Sequence, residues 1–235
     1  MTESRTDFHG HLGELEEEAL STLELTSTAL DQAIEAVLTR DMELAVMVID
    51  GDDRIDGRYL DVHQGVLNLL ARQAPVASDL RLTAAVLHTI HHVERMGDLC
   101  VNIAKMVSLM GEPPPGSEEI IAKVEAAGNQ ARDQIRQAEV AFRQRNVNLA
   151  ENLVSQDDVI DRLNRQIFRE AVEIGGDDDH AREWGAHVML IARYIERIGD
   201  NTVDIGEQIA FVVTGEFREF TDASRPGGVV VQGCP

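Results

Sequence analysis

Aromatic side chains are scarce in this 235-residue chain, at 4% of the sequence, yet hydrophobic residues still make up 43%. Ala, Leu, Val and Ile therefore supply the core, which argues against global disorder and for packed helices. Cysteine is scarcer still. Cys100 falls in helical sequence and Cys234 in the terminal tail, so they offer neither metal-ligand spacing nor a disulfide framework. Basic residues are outnumbered, with 21 Lys plus Arg against 42 Asp plus Glu and a net charge of −21. A body this acidic repels phosphate backbones, so no nucleic acid is expected as partner; cations and basic protein surfaces are favoured. No apolar run approaches the roughly 20 residues that span a bilayer. The start MTESRTDFHGHL lacks the basic stretch and apolar run of a signal peptide, so a cytoplasmic setting is expected. Gly-rich phosphate loops, nucleophile elbows and zinc-finger spacings are also missing, which leaves an enzyme without positive support and no residue assigned as catalytic.

Alternating strand patterns are rare, and apolar spacings of three and four recur almost everywhere. They predict an all-α chain of six helices: about 8–39, 41–72, 78–110, 117–145, 146–174 and from Asp177–Asp179 to about 213. Pro75 explains the break after Arg72, and Ser78 or Asp79 is placed to cap the third helix. GEPPPG, residues 111 to 116, is the strongest punctuation in the chain. The predicted organisation is a first three-helix unit over 1–112, a linker at 113–116, a second unit over 117–215 and a loose tail at 216–235. The two units are copies. VERMGDLCVNIAK (93–105) and IERIGDNTVDIGE (195–207) agree at six of thirteen positions with a shift of 102. RDMELAVMVIDGDDRID (40–56) and RNVNLAENLVSQDDVID (145–161) agree at seven of seventeen with a shift of 105. Two tandem three-helix bundles follow, each up-down-up because its loops are short.

Residues four apart share one helix face. Glu94, Asp98 and Asn102 form such a stripe, as do Glu196, Asp200 and Asp204. Like charges at that spacing repel by a few tenths of a kcal/mol per pair, and the interior glycines Gly97 and Gly199 cost about 1 kcal/mol each relative to alanine. Helix formation does not motivate these choices. Two readings compete: a solvated acidic face, or a cation site of hard oxygen ligands suited to Mg, Mn, Fe or Zn. Recurrence of acid, arginine and glycine in both copies favours the second. Hairpin arithmetic adds Asp53 and Asp56 at the heights of Asp98 and Glu94, and Asp158 and Asp161 at those of Asp200 and Glu196. His91, three residues before Glu94, has Arg193 as its counterpart and reads as packing; Arg95 and Arg197 read as salt-bridge partners.

In these stretches, with QAPVASDLR (73–81) and the DDxID forms at 52–56 and 157–161, the chain resembles the PhoU family of bacterial phosphate-signalling regulators. The resemblance covers nearly everything up to Gly215. It implies paired three-helix bundles with multinuclear iron or zinc clusters on E(D)xxxD motifs, here Glu94 and Asp98, then Glu196, Asp200 and Asp204. Asn102 stands where an acid would add a charged ligand, so a weaker first site is expected. The implied role is negative regulation of the phosphate-starvation response. The chain would be a homodimeric adaptor, peripheral to the membrane through its partners, between the phosphate ABC transporter's ATPase and a sensor histidine kinase. The alternative is a carboxylate-bridged metal enzyme or iron-storage bundle.

Overall fold

The computed structural model describes residues 5–176 and 178–220, and every regular element among them is a helix. In chain order these are α1 (Arg5–Thr39), α2 (Met42–Gly51), α3 (Asp53–Arg72), α4 (Ala77–Met106), α5 (Glu118–Gln144), α6 (Val147–Gly175) and α7 (Asp179–Thr214). α2 and α3 together are the expected second helix. The break lies at Asp52 alone, whose φ of −65° and ψ of −33° remain right-handed helical. Its carbonyl accepts from Ile55 N–H at 2.8 Å and from Asp56 N–H at 3.0 Å, so one turn tightens without ending the rod.

The duplication is written into the turns. Arg40 and Arg145, 105 residues apart, are the non-glycine residues with positive φ among those described, at 57° and 52°. Each precedes a capped helix. Asp41 accepts from the N–H groups of Glu43 and Leu44 at 2.9 and 3.0 Å, and Asn146 from Leu149 N–H at 3.2 Å. The left-handed backbone of Arg145 is held by its own side chain. The guanidinium donates to the Phe142 carbonyl at 2.6 Å, lies 5.0 Å over the Phe142 ring and pairs with Glu16 at 2.7 Å.

Two expected boundaries move. α4 begins at Ala77 with no side-chain cap; Asp79 is drawn instead to α1, 3.2 Å from His9. α4 ends at Met106, four residues early, and Met110 and Ser117 are buried, so the Pro-rich connection folds onto the core. Asp178 caps α7 by accepting from His180 N–H at 2.9 Å; Asp177 lies outside the described residues. Of the tail read as loose, residues 216–220 lie back on the bundle. Phe217 meets Phe211 edge-on at 5.8 Å, Arg218 pairs with Glu151, and Phe220 N–H donates to the buried Glu207 carboxylate at 2.7 Å. The remainder, from 221 on, lies outside the described residues.

α1, α2–α3 and α4 form one up-down-up unit, and α5, α6 and α7 the other. α4 packs on α7 and α1 on α5, and one hydrophobic cluster runs through both units, from Leu20 and Ile90 to Ile160 and the fully buried Trp184. The sequence boundary at 113–116 therefore separates repeats, not independent cores.

α6 and α7 cross closely at Gly185, where an added Cβ would stand 2.8 Å from the Ala171 backbone carbonyl. Gly57, also helical, has open space at the same test. Gly185→Ala is expected to lower stability by about 1–3 kcal/mol despite its better helix propensity. Gly57→Ala should raise it by roughly 0.5–1 kcal/mol. Urea denaturation of both variants checks the pair, and equal midpoints would refute the close crossing.

Candidate metal centre

Each DDxID segment is phased by its isoleucine. Ile55 on α3 and Ile160 on α6 are buried, so they aim one face of each helix inward. At about 100° per residue, the acids three before and one after flank that face together: Asp52 and Asp56 in one copy, Asp157 and Asp161 in the other. Asp53 and Asp158 fall roughly 160° around from the isoleucine, and both are exposed. The opposing helix repeats the arrangement. On α4, Glu94 and Asp98 flank the buried Gly97; on α7, Glu196 and Asp200 flank the buried Gly199.

The glycines let the carboxylates in. A Cβ at Gly97 would stand 2.9 Å from Asp52 Oδ1 and 3.2 Å from Ile55 Cδ1. A Cβ at Gly199 would collide with Asp157 Oδ1 and meet Ile160 Cδ1 at 3.1 Å. Glycine, aspartate and isoleucine thus make the same three-way contact in both halves, so Glu94 and Glu196 hold equivalent places.

In the first half, burial and then the charges of Asp56, Asp98 and Glu94 push Asp52 up to about 6. Burial, Asp98 and Asp56 likewise raise Glu94. These four acids share one field. Asn102, at the end of the α4 stripe, is half-buried. His91 is held below the usual imidazole range by partial burial and by Arg95, and its ring lies beside Tyr59 with centroids 6.2 Å apart. It packs, as its lack of a counterpart implied.

The second half is tighter. Asp157 is pushed up to about 7, first by burial, then by the Asp200 and Asp161 carboxylates. Glu196 is raised by burial and Asp200; Arg193 opposes the shift and donates to Glu196 Oε1. Asp200 is raised by partial burial and the charges of Asp161 and Asp204, against Arg193 and Arg197. Arg165 pairs with Asp161 at 3.0 Å. Three buried acceptors around this cleft have no hydrogen-bond donor: Asp157 Oδ1, Glu196 Oε2 and Gln134 Oε1. Gln134, fully buried on α5, donates to the Leu153 carbonyl at 3.1 Å, its side chain opposes the rise of Asp157, and its oxygen would stand 3.2 Å from a Cβ at Gly199. An unpaired buried acceptor costs about 1–3 kcal/mol, more when charged.

Asp204 extends the stripe away from this cleft. It lies across the contact between the halves, where its Oδ2 is 3.5 Å from His92 Nδ1, which also meets Asn201 Oδ1 at 2.9 Å. The sequence reading named Asp53, Asp56, Asp158 and Asp161 beside the stripes; the structure adds Asp52 and Asp157, whose carboxylates rest against Gly97 and Gly199. That reading also missed Gln134, whose role no motif announces, and Glu207. The isoleucine phase was the available signal for the aspartates.

As a donor set, clustered carboxylates with a carboxamide oxygen suit a hard cation. Among the described residues, no three His, Cys, Asp or Glu groups stand close enough to ligate a single ion as placed. A cation held here would have to draw the carboxylates inward. The donor chemistry fits such a group, while Asp56, Asp98 and Asp200 are exposed and Asp52, Glu94, Asp157, Asp161 and Glu196 are partly or fully buried.

Asp157 holds its proton more tightly in the folded state than at its ordinary value of 3.8. Metal-free protein should therefore lose stability as pH climbs from about 4 through about 7, because folding then confines a charge the unfolded chain carries freely. Asp157→Asn removes that loss. Melting curves in chelator should coincide near pH 4 and separate near pH 8, with the variant the more stable; wild type ahead at pH 8 would overturn the assignment.

Comparison with known proteins agrees with the duplicated geometry. The PhoU domain model matches residues 20–107 and again 124–209. A phosphate-specific transport system accessory protein PhoU homolog of Clostridium acetobutylicum is 29% identical over 221 residues, covering 93% of this chain and 100% of its own. The crystal structure of PhoU from Pseudomonas aeruginosa superposes with a TM-score of 0.83 at 27% identity, over 88% of this chain and 99% of that one. The phosphate transport system regulatory protein PhoU from Streptococcus pneumoniae gives 0.81 at 26%, over 89% and 98%. With the model matched in both halves, and the glycine, aspartate and isoleucine contact repeated in each, the chain is a member of the PhoU family.

Proposed function

We propose that this protein is a non-catalytic, metal-binding adaptor that restrains the phosphate-starvation response. It would sit in the cytoplasm, as a homodimer, between the phosphate ABC transporter's ATPase and a sensor histidine kinase. The relatives' names, an accessory and a regulatory protein of phosphate transport, support the pathway. Among the described residues no helix is long and apolar enough to cross a membrane, so contact with the membrane would run through partners.

The observation that carries the metal is the set of three donorless buried oxygens in the second half. A cation, an ordered water or an added proton would satisfy acceptors in that position, and the facing carboxylates favour the cation. Multinuclear iron or zinc, or Mg or Mn, would be held by Glu196, Asp200, Asp157 and Asp161 with Gln134, and by Glu94, Asp98, Asp52 and Asp56 in the first half. The first cluster lacks an orphaned carboxamide and is expected to bind more weakly. A bound cation would supply positive charge that lets the carboxylates approach one another. Asp53 and Asp158, roughly 160° around their helices from the buried isoleucines, would serve at most the rim.

Gentle purification followed by metal analysis tests this. Wild type should retain metal, Glu196→Gln should lose the second-half share, and Glu94→Ala/Glu196→Ala should retain almost none while its metal-free melting temperature equals or exceeds that of wild type. Deleting the protein should release phosphate-starvation genes at high phosphate. Metal content unchanged in the double variant would refute the sites; silent genes on deletion would refute the adaptor.

A further inference from the structure

The second half presents a groove that its twin has filled. It runs between the outer faces of α6 and α7, encloses about 850 Å³, and is floored by Phe168, Met189 and Leu190. Phe168 is 56% exposed and Leu190 44%. Its rim carries Arg165, Arg169 and Arg193, and no acidic side chain lines it. Arg165 and Arg193 also pair with Asp161 and Glu196, so Arg169 carries the positive charge on this rim that no acid offsets, in a protein of charge −21.

The internal repeat tests whether the fold itself needs these residues. The shifts of 105 and 102 map Arg165, Phe168, Arg169 and Arg193 onto Leu60, His63, Gln64 and His91. None of those is permanently charged. There Tyr59 closes the space, its ring 5.7 Å from His63 and 6.2 Å from His91. In the second half Asn164 replaces that tyrosine and the groove stays open. Packing the same helix pair therefore requires neither the arginines nor the gap.

We infer that this groove docks an acidic amphipathic helix of a protein partner, its apolar stripe on Phe168, Met189 and Leu190 and its carboxylates on the arginine rim. The antiparallel helix pair offers a channel into which a third helix lays residues at spacings of three and four. A second copy of this chain is the poorer occupant. A two-fold contact centred here would press the arginine rim against itself, and a head-to-tail contact would not close into the homodimer proposed above.

The inference rests on the adaptor reading and is tested separately from it. In the full-length protein, p-benzoyl-phenylalanine replaces Phe168, cells are irradiated, and the cross-linked peptide is sequenced. The expected adduct is a peptide of another protein, rich in Asp and Glu, with apolar residues at helical spacing. Arg169→Glu, and Asn164→Tyr closing the groove as Tyr59 does, should each reduce its yield about ten-fold. Adducts only to this chain, to lipid, or to neutral or basic peptides would overturn the groove, as would undiminished yield in both variants or no adduct. Co-precipitation of the transporter ATPase or kinase that survives both variants would refute the groove and leave the adaptor standing. Loss of metal in Glu196→Gln reports on the metal sites alone.

Discussion

A carboxylate resting against the bare backbone of a glycine is the contact from which the rest follows. At Gly97 and Gly199 the absence of a Cβ lets Asp52 and Asp157 enter the helix interface, where water is thin and neighbouring acids are near. Burial then makes each charge costly, and the facing pairs on α4 and α7 make it costlier. A side chain at either glycine would relieve the crowding and destroy the arrangement. The helix-propensity cost of the glycines, about 1 kcal/mol each, is small beside the electrostatic cost they permit. Positive charge placed among these carboxylates would offset that cost.

The two copies have spent their freedom differently. The first half keeps a looser cluster, with Glu94 half-buried and a neighbouring aromatic patch of Tyr59, His63 and His91. The second half adds Gln134 beneath its cluster, clamps Glu196 and Asp161 with arginines, and leaves the adjoining groove open. Arg165 and Arg193 belong to both features, one end of each touching the acid cluster and the groove lying beyond. His92 ties the halves together by reaching from α4 to Asn201 and Asp204 on α7. α4 and α7, the helices that carry the ExxxD stripes, thus also form the seam between repeats.

Much of this was legible in the residues because it is periodic. Apolar spacing marked six rods, the shifts of 102 and 105 marked the repeat, and recurrence of Glu, Arg, Gly and Asp marked the stripes. Equal heights on two antiparallel helices say nothing about rotation, so the arithmetic that picked Asp53 and Asp158 could not show which acids of each DDxID segment face the glycines. The buried Ile55 and Ile160 set that rotation and bring the preceding aspartates inward. Asp79 is no cap because α4 starts at Ala77, which places Asp79 inside the first turn, where its carboxylate meets His9. Residues 216–220 were missed as structured because their anchor, Glu207, is an acid buried by tertiary packing.

The sequence alone determined the helices, their duplication and the chemical character of the clusters, since these depend on spacing and residue type within a few turns. Tertiary structure decided which oxygens face one another, which acceptors are left without donors, and that two repeats share one core. It also decided that one helix pair is plugged by a tyrosine and its twin is not. Those outcomes depend on helix rotation and on side chains such as Gln134, which arrives from a third helix. No local pattern encodes such a meeting, because it is specified only when the packed helices fix their mutual phase.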